Sequence, residues 1–108
     1  VYDLVRHCRV PFRCANGRTE IPVSYSTCDG RLFLVTDRPL AELRVSVSDG
    51  RLTVTSPDRD VMIPVGVFVD GAKPRYGVVR NGTYECPVPK SSAVFVRNMA
   101  TGCRFNER

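Results

Sequence analysis

The chain has 108 residues, room for one domain, since single cores take about 100–150 residues. Hydrophobic residues make up 43% and charged ones 25%, which excludes a disordered, collagen-like or Glu/Lys/Ala-rich coiled-coil chain. The net charge is +5, from 16 basic residues against 11 acidic ones, and raises the question of a polyanionic partner.

The elements are set by turn dipeptides. Asn16-Gly17, Asp29-Gly30, Asp49-Gly50, Asp70-Gly71 and Asn81-Gly82 punctuate the chain. Such pairs accept positive φ at both central positions, the strongest short-range hairpin signal. Ile21–Cys28 is expected to turn at Asp29-Gly30 into Arg31–Thr36, aligning Tyr25 with Leu34 and Thr27 with Leu32. Only Leu40–Arg44 has helical flavour, with room for one turn after Pro39. In Glu42–Ser48 the apolar Leu43, Val45 and Val47 alternate with polar residues, and Leu52 and Val54 alternate with Arg51, Thr53 and Thr55. A two-residue turn at Asp49-Gly50 pairs Ser48 with Arg51 and Val47 with Leu52, so both strands put their apolar residues on one side.

Val61–Val69 is nearly all apolar, as in a strand covered on both faces or one that contributes to an interface, and Pro64 points to an edge or a bulge. Tyr84–Val88, Ala93–Asn98 and Gly102–Phe105 complete about eight short strands. The fold class is all-β, with strands at the spacing of a sandwich or barrel and a single domain over 1–108. No stretch is long and apolar enough for a bilayer-spanning helix or signal peptide. The chain therefore reads as a mature secreted protein or as a domain of a longer one.

Cys8, Cys14, Cys28, Cys86 and Cys103 are a high cysteine content for a small domain and point to disulfides in an oxidising compartment. Two bridges and one spare thiol allow many connectivities, and spacing does not choose among them. A zinc site on His7, Cys8, Cys14 and Cys28 lacks the close Cys pair of a zinc knuckle, so neither metal nor cofactor is expected. The sequon Asn81-Gly82-Thr83 falls on an expected solvated turn and makes Asn81 a glycosylation candidate.

The segment Asn81-Gly82-Thr83-Tyr84-Glu85-Cys86 resembles strand F of immunoglobulin domains, where a Tyr precedes the second core Cys by two residues. The resemblance implies an immunoglobulin-like β-sandwich stabilised by disulfides. Tyr84 would then be a tyrosine corner, Cys86 a sheet-bridging cysteine with Cys28 or Cys14 as partner, and Ala93–Asn98 strand G. Two departures are plain: the chain has no Trp, and Cys28 sits at a hairpin tip. With the Arg-rich usage, spare cysteines and sequon, the chain is similar to cytomegalovirus immunoevasins, membrane glycoproteins whose luminal domains bind MHC class I molecules. That likeness implies a partner at the cell surface or in the ER lumen, a role in antigen presentation or natural killer recognition, and a membrane anchor outside this chain.

Catalysis is not expected. His7 is the only histidine, and a nucleophilic pair would need Cys8 beside it or a distant thiol with no orienting group. Asp58 and Asp60 flank Arg59 in a Pro-containing loop and read as turn formers. No Gly-rich phosphate cradle leads from a strand into a helix, so no small-molecule substrate is implied. The arginines are spread evenly outside a loose set of Arg6, Arg9, Arg13 and Arg18, and several adjoin acids, which suits solvated faces and protein interfaces. Two protein-binding candidates emerge: the loop carrying Lys73, Arg75 and Tyr76, and the N-terminal Arg9, Phe12 and Arg13. The alternative is a basic barrel binding nucleic acid with Tyr76, Phe12 and Phe33 as stacking platforms, or a viral structural domain.

Overall fold

The computed structural model describes residues 1–25, 30–90 and 93–106. Among these the chain is all-β, with no helix. The short strands β1 (Tyr2–Asp3), β2 (Cys8–Arg9), β3 (Arg13–Ala15), β4 (Arg18–Glu20) and β5 (Phe33–Leu34) come first. Longer ones follow: β6 (Arg44–Ser48), β7 (Arg51–Thr55), β8 (Ile63–Val69), β9 (Arg75–Val79), β10 (Thr83–Pro87), β11 (Val94–Asn98) and β12 (Arg104–Asn106).

The longer strands form two antiparallel sheets, one ordered β10-β7-β6 and the other β12-β11-β8-β9. The β6–β7 hairpin has the expected register, Ser48 opposite Arg51 and Val47 opposite Leu52. Asp49 and Gly50 both hold positive φ (51° and 73°), the geometry whose twist matches that of paired strands. Asn81-Gly82 repeats it (51° and 81°) and carries the chain from one sheet to the other, with Arg80 bridged to Thr83. Asp70-Gly71 turns differently, with only Gly71 at positive φ and the Ala72 N–H donating to the Val69 carbonyl at 3.1 Å.

One buried apolar cluster draws on both sheets. Val45, Leu52, Val54 and Cys86 come from the three-stranded sheet and Ile63, Val65, Val67, Val79 and Val96 from the four-stranded one. These positions alternate along their strands, so each sheet turns one face to the cluster and one away from it.

Several expectations are corrected. Pro64 points to an edge or a bulge in Val61–Val69, yet β8 lies between β9 and β11 with an unbroken register to both. The Pro64 carbonyl accepts from Met99 N–H at 2.9 Å, one position past the last ladder pair, Val65 with Asn98. The ring nitrogen faces that same side, and the Met99 carbonyl that a residue-64 N–H would have met accepts instead from His7 Nδ1 at 2.6 Å. Leu40–Arg44 forms no helical turn, and the strand begins at Arg44.

The expected Ile21–Cys28 hairpin is also replaced. Ile21–Tyr25 is not a strand, Leu34 pairs with Tyr2 instead of Tyr25, and residues 26–29, with Thr27 and Cys28, lie outside the described residues. The physical reason is Asp3. Its buried carboxylate accepts from Arg31 Nη1 at 2.9 Å and from the N–H groups of Val5 and Arg6, both at 2.9 Å. That pins the segment around Arg31 to β1.

The expected disulfides are not formed among the described residues. Cys8, Cys14, Cys86 and Cys103 are free thiols, with Cys86 buried and the other three exposed. Cys14 lies on the exposed β3–β4 ribbon while Cys86 belongs to the core cluster, so that pair is not bridged.

Candidate protein-recognition surface

The faces that the two sheets turn away from the core differ in chemistry. The three-stranded sheet presents Arg44, Ser46 and Ser48 from β6, Arg51, Thr53 and Thr55 from β7, and Thr83, Glu85 and Pro87 from β10. It is a solvated face, with Arg51 Nη2 paired to Glu85 at 3.0 Å. The four-stranded sheet presents aromatic rings.

Those rings stand in a row across its strands. The Phe95 and Phe68 rings, from register partners on β11 and β8, stack with centroids 4.9 Å apart and planes 9° from parallel. On one side the Tyr76 ring of β9 meets Phe68 edge-on at 6.3 Å. On the other the Arg104 guanidinium of β12 lies 4.9 Å from the Phe95 centroid. Offset stacks, edge contacts and cation–π contacts each add stabilisation beyond area burial, so the row is ordered before any partner arrives.

Gly66 makes the row possible. A Cβ there would stand 2.9 Å from the Phe68 ring, 3.2 Å from the Tyr76 ring and 3.3 Å from the Met99 sulfur. Three large side chains therefore close over a position that has none. Met99 is delivered by the turn between β11 and β12, which Asn98 holds. Its buried amide oxygen accepts from Ala100 and Thr101 N–H at 2.9 and 3.2 Å. Beside the row, Phe68, Val69, Ala93, Val94 and Phe95 line an apolar cleft of about 380 Å³ that ends at Asp70 and Asn106. Tyr76 remains 63% exposed, a large ring open to a partner.

Of the candidates read from sequence, Tyr76 lies in this row, with Arg75 exposed beside it on β9 and Lys73 exposed in the preceding turn. Arg9, Phe12 and Arg13 lie elsewhere. Arg9 is on β2, Phe12 is 47% exposed, and Arg13 is ion-paired to Glu20 across the β3–β4 ribbon. The two candidate sets do not form one surface. Phe33, the remaining stacking candidate, is half-buried on β5 and pairs with Asp3.

Asn81 is exposed at the tip of the β9–β10 turn, as a glycan acceptor requires. Tyr84 and Cys86 face inward from β10, with the Tyr84 ring packed so closely over Gly77 of β9 that no Cβ fits there. Burial, and then the adjacent Cys86 thiol, push the Tyr84 hydroxyl above the ordinary phenol value.

Phe68, Phe95, Arg97, Met99 and Arg104 were missed as surface residues. The signal was present in the alternation of Pro64, Gly66 and Phe68 against Ile63, Val65 and Val67, which separates two faces of an all-apolar run. His7 is half-buried just ahead of β2. Its ring Nδ1 donates to the Met99 carbonyl at 2.6 Å, tying the N-terminal strands to the β11–β12 turn. Asp58 is not an exposed turn former: it is buried and accepts from Ala41 N–H at 2.8 Å and Arg38 Nε at 3.2 Å. Among the described residues no three metal-ligating side chains gather at one point.

Comparison with known protein families, with curated proteins and with solved structures finds no match to this chain.

Proposed function

We propose that the chain is a non-catalytic protein-recognition domain that binds through the outer face of its four-stranded sheet. The observation that carries this is the ordered row Arg104–Phe95–Phe68–Tyr76, set on a sheet whose counterpart presents mostly polar side chains and no aromatic ring outward. Aromatic and Arg side chains are the residue types that dominate binding energy at protein interfaces, and pre-ordering them lowers the entropy lost on association.

The scaffold we propose is an immunoglobulin-like β-sandwich. The three-plus-four antiparallel arrangement, the shared apolar cluster and the passage from β9 to β10 across the Asn81-Gly82 turn support it. Taking β6 as the first strand, β11 and β12 take the places of strands F and G, and Tyr84 and Cys86 lie one strand earlier than the resemblance assigns them. The sandwich proposal thus rests on strand order and not on the Tyr-x-Cys motif.

The partner implied by the resemblance to immunoevasins is an MHC class I molecule, met in the ER lumen or at the cell surface, with a glycan on Asn81. Pull-down with the glycosylated domain from fibroblast or lymphoid membranes tests it. Immunoblotting is expected to recover class I heavy chain, and its absence removes class I as the partner.

A further inference from the structure

We infer that the four-stranded sheet's aromatic face takes a protein segment of a particular chemistry, one that sets carboxylates around an aromatic or aliphatic centre. This rests on the recognition role proposed above and specifies its ligand. The apolar row would bury the centre of such a segment, while Arg97 and Arg104 flank the row from β11 and β12. Among the described residues neither has a carboxylate partner: Arg97 Nε donates to the Gly102 carbonyl at 3.3 Å, and Arg104 lies over Phe95. Among the described residues, Asp70 is the only carboxylate lining the adjoining cleft. A partner's carboxylates would give these guanidiniums the charge-assisted bonds that the chain does not supply.

The same geometry disfavours two other occupants. A second copy would bring two arginine-bearing faces together with little negative charge to offset them, and like-charge juxtaposition across an interface is costly. A nucleic acid strand gains its affinity by stacking bases on free ring faces. Phe95 has none to offer, because β8 and β12 flank β11 and bring Phe68 and Arg104 to its opposite sides. Phe68 has Phe95 on one side and the edge contact with Tyr76 on the other. A single open ring, Tyr76, makes a poor base platform and a good interface anchor.

The test uses a Glu-rich Glu/Tyr copolymer as the probe, with an oligothymidylate as competitor, on the whole chain at near-physiological salt. NMR signals of Phe68, Tyr76 and Phe95 are expected to shift on adding the copolymer while those of Ser46, Thr53 and Glu85 stay in place. Tyr76→Ala and Arg104→Glu, both at exposed positions, are each expected to weaken binding about tenfold or more. Arg44→Glu on the opposite sheet is expected to leave it unchanged, and dispersed spectra verify that each variant is folded. The inference is overturned if the copolymer does not bind, if Arg44→Glu weakens it equally, or if the oligothymidylate displaces it from the same signals. Self-association through this face in sedimentation runs would overturn it too. Class I capture that survives Tyr76→Ala and Arg104→Glu would keep the recognition role and remove this face. Copolymer binding without class I capture would keep the face and remove that partner.

Discussion

Residues 1–40 and residues 43–106 are stabilised by different means. The later region has strands of mostly five to seven residues, and apolar side chains from both of its sheets meet in one cluster. The earlier region has strands of two or three residues, and its buried Val1 and Tyr2 lie outside that cluster. It is held to the rest mainly by directed polar contacts, with Leu40 alone of its described apolar side chains packed against the cluster. His7 reaches the Met99 carbonyl, and Arg38 bridges Asp58 and Asp60 at 3.2 and 2.9 Å. Burial is non-directional and cooperative, whereas each polar contact contributes only about 1 kcal/mol net. The difference implies a one-way dependence: the N-terminal strands need the two sheets, and the two sheets do not need them.

Leu52→Ala tests that dependence with the largest effect. Leu52 is fully buried, opposite Val47 on one side and Cys86 on the other. Truncation leaves a cavity that the flanking strands cannot close, at a cost of about 3 kcal/mol. Urea titration should show the drop, and probes in both regions should move together, because Ala41 and His7 find their acceptors on the two-sheet region. An N-terminal region that kept its amide protection after the sheets melted would break the comparison.

Gly77→Ala sharpens it with a smaller effect. The Tyr84 ring occupies the space a Cβ would need, so the methyl must displace that ring and strain β9 against β10. Overpacking of this kind costs about 2 kcal/mol. The loss should appear as a lower thermal midpoint, with the contacts of Tyr2 and Asp3 unchanged in the folded state. A variant as stable as the parent would mean that Tyr84 moves aside freely and does not brace the junction of the two sheets.

The two regions were also unequally legible. Asp49-Gly50 between alternating runs specifies turn type and register together, because the dipeptide fixes the twist and the pleat fixes the face. Local chemistry was enough there, and the β6–β7 register follows from it. For Arg31–Leu34 local chemistry misled. Its alternation suits a hairpin with the preceding segment, but Asp3 and Arg31, far apart in sequence, pair in a buried site and draw it to β1. The aromatic row was hidden for a related reason. Phe68 and Phe95 look like core residues in apolar runs. Alternation separates the faces of each strand, but only the register of β8 against β11 brings the two rings side by side. Tyr76 was legible because the polar residues around it mark exposure.

The smallest effect, and the most selective, concerns pH. The Arg6 N–H, then the Val5 N–H and the Arg31 guanidinium, hold the Asp3 carboxyl below the ordinary carboxylate value, against the opposing pull of burial. A carboxyl whose value is lower in the folded than in the unfolded chain binds fewer protons when folded. Its stabilising contribution is therefore complete above the unfolded value of about 3.9, and it fades as pH falls through the lower folded value. Acidification should release β1, β2 and β5 before the two sheets. The exchange of Leu4 and Val10 amides, bonded to the carbonyls of Leu32 and Val1 at 2.8 Å each, should accelerate relative to the value intrinsic at each pH. The amides of β8 and β11 should keep their protection. Asp3→Asn removes the charge and should make the N-terminal amides labile at neutral pH, with little further change on acidification. If the variant lost protection across the same acid range as the parent, another carboxylate would control the release. If both regions opened together, the N-terminal strands would be part of one cooperative unit with the sheets.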